Sequence, residues 1–207
     1  MTSSRVVIAL LTEIAWAPPG VDLPTWRRAL AEDVVDLLST LAAAEPAIAV
    51  VRADRDLAAA VAWPGMPVYE LERATPGNAL RAAAADGYDM AAVLAADAPD
   101  LPGMLIGKLL QPLTSRIAAV APAHGGGLVG VASRLPLPKW LPEVDLDAAE
   151  PEEVRAAAPR RAVVAVTPGW HRLRGADDLA RLDPALEGWE NTRMLLTTGN
   201  LGHLDRL

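Results

Sequence analysis

Short apolar runs alternate with stretches of helical periodicity from one end of this chain to the other, and that alternation restricts its fold more than any other feature. Arg5–Leu11 is a continuous apolar run rich in β-branched residues, the pattern of a strand buried on both faces. After the loop Ala17-Pro18-Pro19-Gly20, helical spacing runs over Thr25–Ala44 through Trp26, Leu30, Val34, Leu37, Leu38 and Leu41, with Asp22 or Thr25 placed to cap its start. Ala47–Val51 reads as a second strand, and Asp54 is placed to cap a helix over Arg55–Ala62. Pro67–Leu71 reads as a third strand. Thr75-Pro76 opens a helix, with proline where the missing N–H does no harm, and Asp86-Gly87 stops it. Met90–Ala95 reads as a strand and Leu101–Leu113 as a helix. Ile117–Ala121 and Leu128–Ala132 read as two strands around the glycines at 125–127, and Ala162–Val166 as the last strand, with a short helix over Ala176–Leu182. Strands that alternate with helices need crossover connections, so the chain is expected to be an α/β protein with a largely parallel sheet. The pair around the glycines is open to antiparallel pairing.

At 207 residues the chain falls within the size of one domain, and we expect a single domain over 1–207. A domain of that size removes about 70% of its unfolded surface from water, so it needs no staples. Pro136–Pro159 is proline-rich and acidic, and it is expected to be an excursion over the surface. Cysteine is absent, which rules out disulfides and thiolate metal sites. The run Val6–Leu11 is too short for the core of a signal peptide, and no stretch approaches the ~18 apolar residues of a membrane span. A cytoplasmic protein without membrane partners is expected. The net charge is −7, and Lys108 and Lys139 are the only lysines, so nucleic acid is not an expected partner. The six tryptophans are read as plugs at the edges of an Ala/Leu/Val core or as platforms for a ligand ring.

The most informative stretch is Val93-Leu94-Ala95-Ala96-Asp97-Ala98-Pro99-Asp100-Leu101. A buried strand ends at an aspartate, and a helix follows. In open α/β sheets, ligands gather outside the C-terminal ends of the strands. Asp97 there can hold a divalent cation through its oxygens, and the cation can bridge the phosphates of a nucleotide. It can equally cap the helix that follows.

This turn, in this strand order, resembles the metal-binding turn of the glycosyltransferase-A (nucleotide-diphospho-sugar transferase) superfamily. The match is to its uncharacterised glycosyltransferase-like branch, related to phospholactate guanylyltransferases and molybdenum-cofactor nucleotidyltransferases. Members continue with a strand, an Asp-Gly-Gly turn and another strand, where this chain has Pro122-Ala123-His124-Gly125-Gly126-Gly127-Leu128-Val129-Gly130. They end with a strand and an Asp-Thr-Pro-Glu-Asp-Leu-like element, where this chain has Trp170-His171-Arg172-Leu173-Arg174-Gly175-Ala176-Asp177-Asp178-Leu179. The resemblance spans about residues 5–197 and leaves a short C-terminal tail. It implies a three-layer sandwich with a mostly parallel mixed sheet, and a nucleotide or nucleotide-sugar as ligand. It also implies Mg²⁺ or Mn²⁺ at Asp97.

The departures from that family fall where its chemistry sits. Active relatives carry a Gly-x-x-Lys-Thr-Arg-like loop after the first strand to cradle phosphates. Here the segment is Pro18-Pro19-Gly20-Val21-Asp22-Leu23-Pro24-Thr25-Trp26-Arg27-Arg28, with Gly20 where the turn's glycine falls and no lysine after it. Arg27 and Arg28 either contact phosphate or stand solvated on a helix. His124, or Gly125, replaces the aspartate of the Asp-Gly-Gly turn. Arg174 aligns with the late aspartate of the metal site, and a guanidinium cannot ligate a cation. Asp177 and Asp178 suit the start of the next helix. His124, His171 and His203 are far apart in sequence.

Two functional readings follow. In one, a transferase binds a nucleotide through Gly20, Arg27, Arg28, Asp97, Gly125, Gly126 and Arg174, with Asp97 as the metal ligand. In the other, a non-catalytic relative binds a small molecule or a protein. Either way, Mg²⁺ or Mn²⁺ is expected to bind weakly, since one carboxylate holds a hard cation poorly. Asp97 and Arg174 are expected to share one cleft at the sheet's C-terminal edge and to attract one another.

Overall fold

The computed structural model describes the backbone of residues 4–204 and the side chains of residues 4–198; the His203 side chain lies outside the described residues. The elements follow in the order β1 (Arg5–Leu11), α1 (Leu23–Ser39), β2 (Glu45–Val51), α2 (Arg55–Val61), β3 (Val68–Leu71), α3 (Pro76–Ala85) and β4 (Met90–Ala95). Then come α4 (Gly103–Leu110), β5 (Ala118–Pro122), β6 (Leu128–Arg134), α5 (Pro151–Ala157), β7 (Val164–Val166) and α6 (Glu190–Leu204). The seven strands form one sheet in the order β3-β2-β1-β4-β6-β5-β7. β1 runs parallel to β2 and β4, β2 to β3, and β5 to β7. Only β6 is reversed, against both β4 and β5, so the pair around the glycines is antiparallel.

The period of two in each strand divides the core into two halves. In β1, Val7, Ala9 and Leu11 face α1, α2 and α4 and meet Val34, Leu38, Val61, Ile106 and Leu109. Val6, Ile8 and Leu10 face the opposite way, toward Leu80 of α3, Val144, Leu146 and Val154. That makes three layers. The central strands β1, β4, β5 and β6 are buried on both faces over most of their length, which is why they read as largely apolar runs.

The acidic stretch 136–159 does more than cross the surface as expected. Val144, Leu146 and Val154 are buried in the second half of the core, and α5 forms within the stretch behind a Glu150/Glu153 capping box. Three apolar side chains spread among prolines and acids carry too little periodicity to be seen in advance. α6 was likewise not read as an element. Its first turn is held by a distant residue, since Asp33 of α1 accepts from Asn191 N (3.0 Å) and Thr192 N (2.8 Å). Of the two caps open to α1, Asp22 is the one used, accepting from Thr25 N at 2.9 Å. Asp54 does not cap α2 through its side chain; its carboxylate pairs with Arg27 at 2.6 Å.

The tryptophans serve mainly as plugs. Trp26 is fully buried with Leu30 and Leu173 under the loop of Trp16, Ala17 and Val21, and Trp16 meets it edge-on at 6.1 Å. Trp189 is buried and Trp63 is exposed.

Candidate functional site

After β1 the chain winds outward through β2 and β3 on one side, then returns to place β4 on the other side of β1. This reversal is a topological switch point, and it opens a crevice outside the C-terminal ends of β1 and β4. Asp97 lies two residues past the end of β4, in that crevice.

Asp97 does not cap α4, whose N-cap position is Pro102 and carries no side-chain cap. It is nearly buried, at 4% exposure, and both of its oxygens are taken by one guanidinium. Arg172 Nε donates to Asp97 Oδ1 at 2.6 Å and Arg172 Nη2 to Asp97 Oδ2 at 2.9 Å. The remaining donors of Arg172 are spent as well. Nη1 donates to the carbonyls of Leu146 (2.9 Å) and Leu128 (3.3 Å), and Nη2 lies 2.7 Å from Asp147 Oδ1. A guanidinium has five N–H groups, and here five oxygens face them. Burial of Arg172 works against its charge. The Asp97 carboxylate, followed by Asp147, more than offsets that and holds the guanidinium above its ordinary pKa.

The partner of Asp97 is therefore Arg172 and not Arg174. Residues 170–173 cross the sheet edge as an extended segment. Trp170 N donates to Pro122 O, His124 N to Trp170 O, and Leu173 N to Asp97 O. Arg172 and Arg174 both reach backbone carbonyls of the chain that follows β5. Arg174 reaches Gly126 O at 2.8 Å, while Arg172 reaches Leu128 O two residues further along. The intervening His171 lies against Asp100, with Nε2 2.9 Å from Oδ1 but without hydrogen-bond alignment. Asp100 also accepts from Trp170 Nε1 at 3.1 Å.

The other residues singled out by sequence are spread along the same edge. Gly20 adopts φ +86° in the turn before α1. Arg27 is drawn inward, donating to Thr12 O (2.8 Å) and Leu11 O (3.3 Å) besides its pair with Asp54. Arg28 stands exposed beside Glu32. Gly125, Gly126 and Gly127 have φ of +96°, +102° and +78°, a run that favours glycine at every position. At Gly127 the close approach comes from the chain itself: a Cβ would lie 2.5 Å from Leu146 O. His124 is exposed, and its carbonyl accepts from Arg181. Asp178 takes the Arg174 amide at 3.0 Å, while Asp177 makes no described side-chain bond.

Two hollows flank the end of β1. One, of about 350 Å³, is lined by Leu10, Thr12, Arg73, Thr75, Glu143 and Asp147. The other, of about 470 Å³, is lined by Glu13, Ile14, Leu23, Arg27, Asp54 and Asp56. Sequence reasoning missed Arg172, Asp147 and Arg73. For Arg172 the signal was present in the motif already aligned; for Asp147 and Arg73 the sequence carried none.

Neither a protein family nor a curated protein matches this chain by sequence. Solved structures do match in shape. A protein of Desulfovibrio desulfuricans G20 assigned as a nucleotide-diphospho-sugar transferase superposes with a TM-score of 0.66 at 22% identity, over 97% of this chain and 98% of that one. The 4-diphosphocytidyl-2C-methyl-D-erythritol synthase of Anaerococcus prevotii DSM 20548 gives 0.60 at 11% identity, over 86% and 95%. Glucosyl-3-phosphoglycerate synthase of Mycobacterium tuberculosis, solved with Mg²⁺ and uridine diphosphate, gives 0.55 at 15%, over 95% and 79%. The residues around Asp97 do not fit such a cation as they stand, because a guanidinium already holds both carboxylate oxygens. No group of three or more acidic, histidine or cysteine side chains converges elsewhere among the described residues. No described helix is long and apolar enough to cross a membrane. In fold, the chain is a three-layer α/β sandwich of the nucleotide-diphospho-sugar transferase (glycosyltransferase-A) type.

Proposed function

We propose that this chain is a binding protein built on the transferase fold, taking the nucleoside part of a nucleotide or nucleotide-sugar without metal-assisted transfer. The observation that carries this reading is the buried two-point pairing of Asp97 with Arg172. Both oxygens of Asp97 already face the positive charge of a guanidinium, which repels a cation, and Arg172 has no N–H left for a phosphate. The hollow between β1, the start of α3 and residues 143–147 is the place we assign to the ligand. Its carboxylates, Glu143 and Asp147 among them, suit ribose hydroxyls and base amino groups better than a polyphosphate, since all of these donate to an acceptor. Arg73 is the cation of the same lining.

Phosphate contacts by Gly20, Gly125, Gly126 and Arg174 belong to this proposal as secondary ones. Arg27 is tied to Asp54 and to backbone carbonyls, and Arg28 lies beside Glu32, so both are left to structure. The suggested kinship to phospholactate guanylyltransferases concerns ancestry within the same proposal, not activity.

Calorimetric titration with a panel of nucleosides, nucleotides and nucleotide-sugars, with Mn²⁺ and with a chelator, tests the reading. The expected result is binding of at least one nucleoside-containing ligand with the same affinity in both conditions, and no turnover. Binding that requires Mn²⁺, or transfer to water or an acceptor, would instead favour the transferase. A folded protein that binds no member of the panel would remove the nucleoside from the proposal.

A further inference from the structure

Arg172 sits in a cage of five oxygens: two from Asp97, one from Asp147, and the carbonyls of Leu128 and Leu146. These oxygens come from three separate parts of the chain, namely the end of β4, the start of β6 and the wall segment before α5. The guanidinium is 2% exposed. We infer that Arg172 is a built-in cation that does the tying work of a bound metal ion, holding the Leu146–Asp147 wall permanently against the sheet edge. The cage is consequently a latent site for Ca²⁺, closed to ions only by the arginine that fills it.

The chemistry of the donors supports this. All five are hard oxygens, and two carboxylates supply two negative charges, which suits a divalent ion. The N–H groups of a guanidinium lie in one plane, so the oxygens they address lie near a plane as well. Ca²⁺ takes six to eight oxygens, often as a pentagonal bipyramid, with waters able to complete the axial positions. Without the guanidinium the cage would have to contract, because its oxygens lie further from the centre than the ~2.3–2.6 Å of a Ca–O bond. The smaller Mg²⁺, which needs ~2.0–2.1 Å and near-octahedral geometry, is served less well.

The wall is also well placed to report on the tie. Leu146 and Asp147 line the hollow beside β1. Leu128 N donates to Leu146 O at 2.8 Å, and only the absence of a Cβ at Gly127 allows that approach. Releasing Arg172 should therefore loosen one wall of the hollow, and a cation in the cage should restore it. This inference concerns the cage alone and stands whether or not a nucleoside binds.

The test uses the full chain as wild type, Asp97→Asn, Arg172→Ala, Arg172→Gln and Asp97→Asn/Arg172→Ala. Ca²⁺ and Mg²⁺ are titrated calorimetrically, and the melting temperature is followed with each ion and with chelator. Wild type is expected to show no Asp97-dependent uptake and no shift in melting temperature. Arg172→Ala should bind Ca²⁺ at least about tenfold more tightly than Mg²⁺ and melt several degrees higher with Ca²⁺; the double variant should lose both effects. Arg172→Gln leaves less room in the cage and should gain less. Where Arg172→Ala folds poorly with chelator, Ca²⁺ during refolding should recover native circular dichroism. The inference is overturned if wild type binds Ca²⁺ or Mg²⁺ and loses that binding on Asp97→Asn. It is also overturned if the Arg172 variants gain neither binding, nor stability, nor refolding yield from Ca²⁺.

Discussion

Replacing Asp97 with alanine should be among the most damaging single changes available outside the apolar core. The side chains of Arg172 and Asp97 are 2% and 5% exposed, with Nε 2.6 Å from Oδ1, so neither charge has water to fall back on. Removing the carboxylate leaves a buried guanidinium with Asp147, itself 60% exposed, as its one ionic partner. Breaking a buried pair from one side costs about 3–5 kcal/mol, because the remaining charge keeps its desolvation penalty without its counter-charge. Arg172→Met should cost a similar amount by stranding Asp97. The double variant Asp97→Ala/Arg172→Met leaves no stranded charge between the two positions and should cost clearly less than the sum of the single changes, with a coupling energy of about 2–3 kcal/mol. Equilibrium urea unfolding measures all three, with circular dichroism and tryptophan fluorescence required to coincide, since a chain of 207 residues exceeds the size at which two-state behaviour is usual. A total stability of about 5–15 kcal/mol leaves room to resolve the losses. Additive single changes, or an Asp97→Ala cost below about 1 kcal/mol that vanishes in high salt, would identify the pair as an ordinary screened surface contact and refute the reasoning.

Other outcomes follow from the same structure. Arg27→Ala should destabilise by about 1–3 kcal/mol through the lost bonds to Leu11, Thr12 and Asp54, whereas Arg28→Ala, next to Glu32 on an exposed helix face, should stay within about 0.5 kcal/mol; urea midpoints that rank the two the other way would contradict this. Gly127→Ala should cost at least about 2 kcal/mol, from a positive φ and a Cβ driven against Leu146 O, and an unchanged melting temperature would count against the wall geometry. Burial pushes the Asp33 carboxyl up, against the pull of its bonds to Thr192 and Asn191. A raised native pKa means the folded state holds the proton more tightly, so this group's contribution is present below its ordinary value and is lost as pH rises through the raised one. Asp33→Asn should therefore flatten the dependence of melting temperature on pH just above 3.8, and parallel wild-type and variant curves would exclude that linkage.

What could be read from the chain was set by local rules. β4 is apolar without interruption, and β1 and β6 nearly so, because both of their faces are covered, and that pattern is visible without any partner. The caps at Asp22 and Thr75 and the stop at Gly87 act within a few residues of themselves, so they too were legible, as was the placing of Asp97 just past the end of β4. The tertiary structure decided matters that depend on residues far apart in sequence. Asp54 turned from a cap into a partner of Arg27, 27 residues away. α6 takes its N-terminal cap from Asp33, about 158 residues before it. The acidic stretch became a wall because three of its side chains found the open face of the sheet. Asp97 met Arg172 rather than Arg174 because backbone bonds to Pro122, His124 and Asp97 fix where residues 170–173 lie along the sheet edge. Periodicity states which side a residue faces; what it meets there depends on how distant segments are aligned, and that alignment is a property of the folded whole.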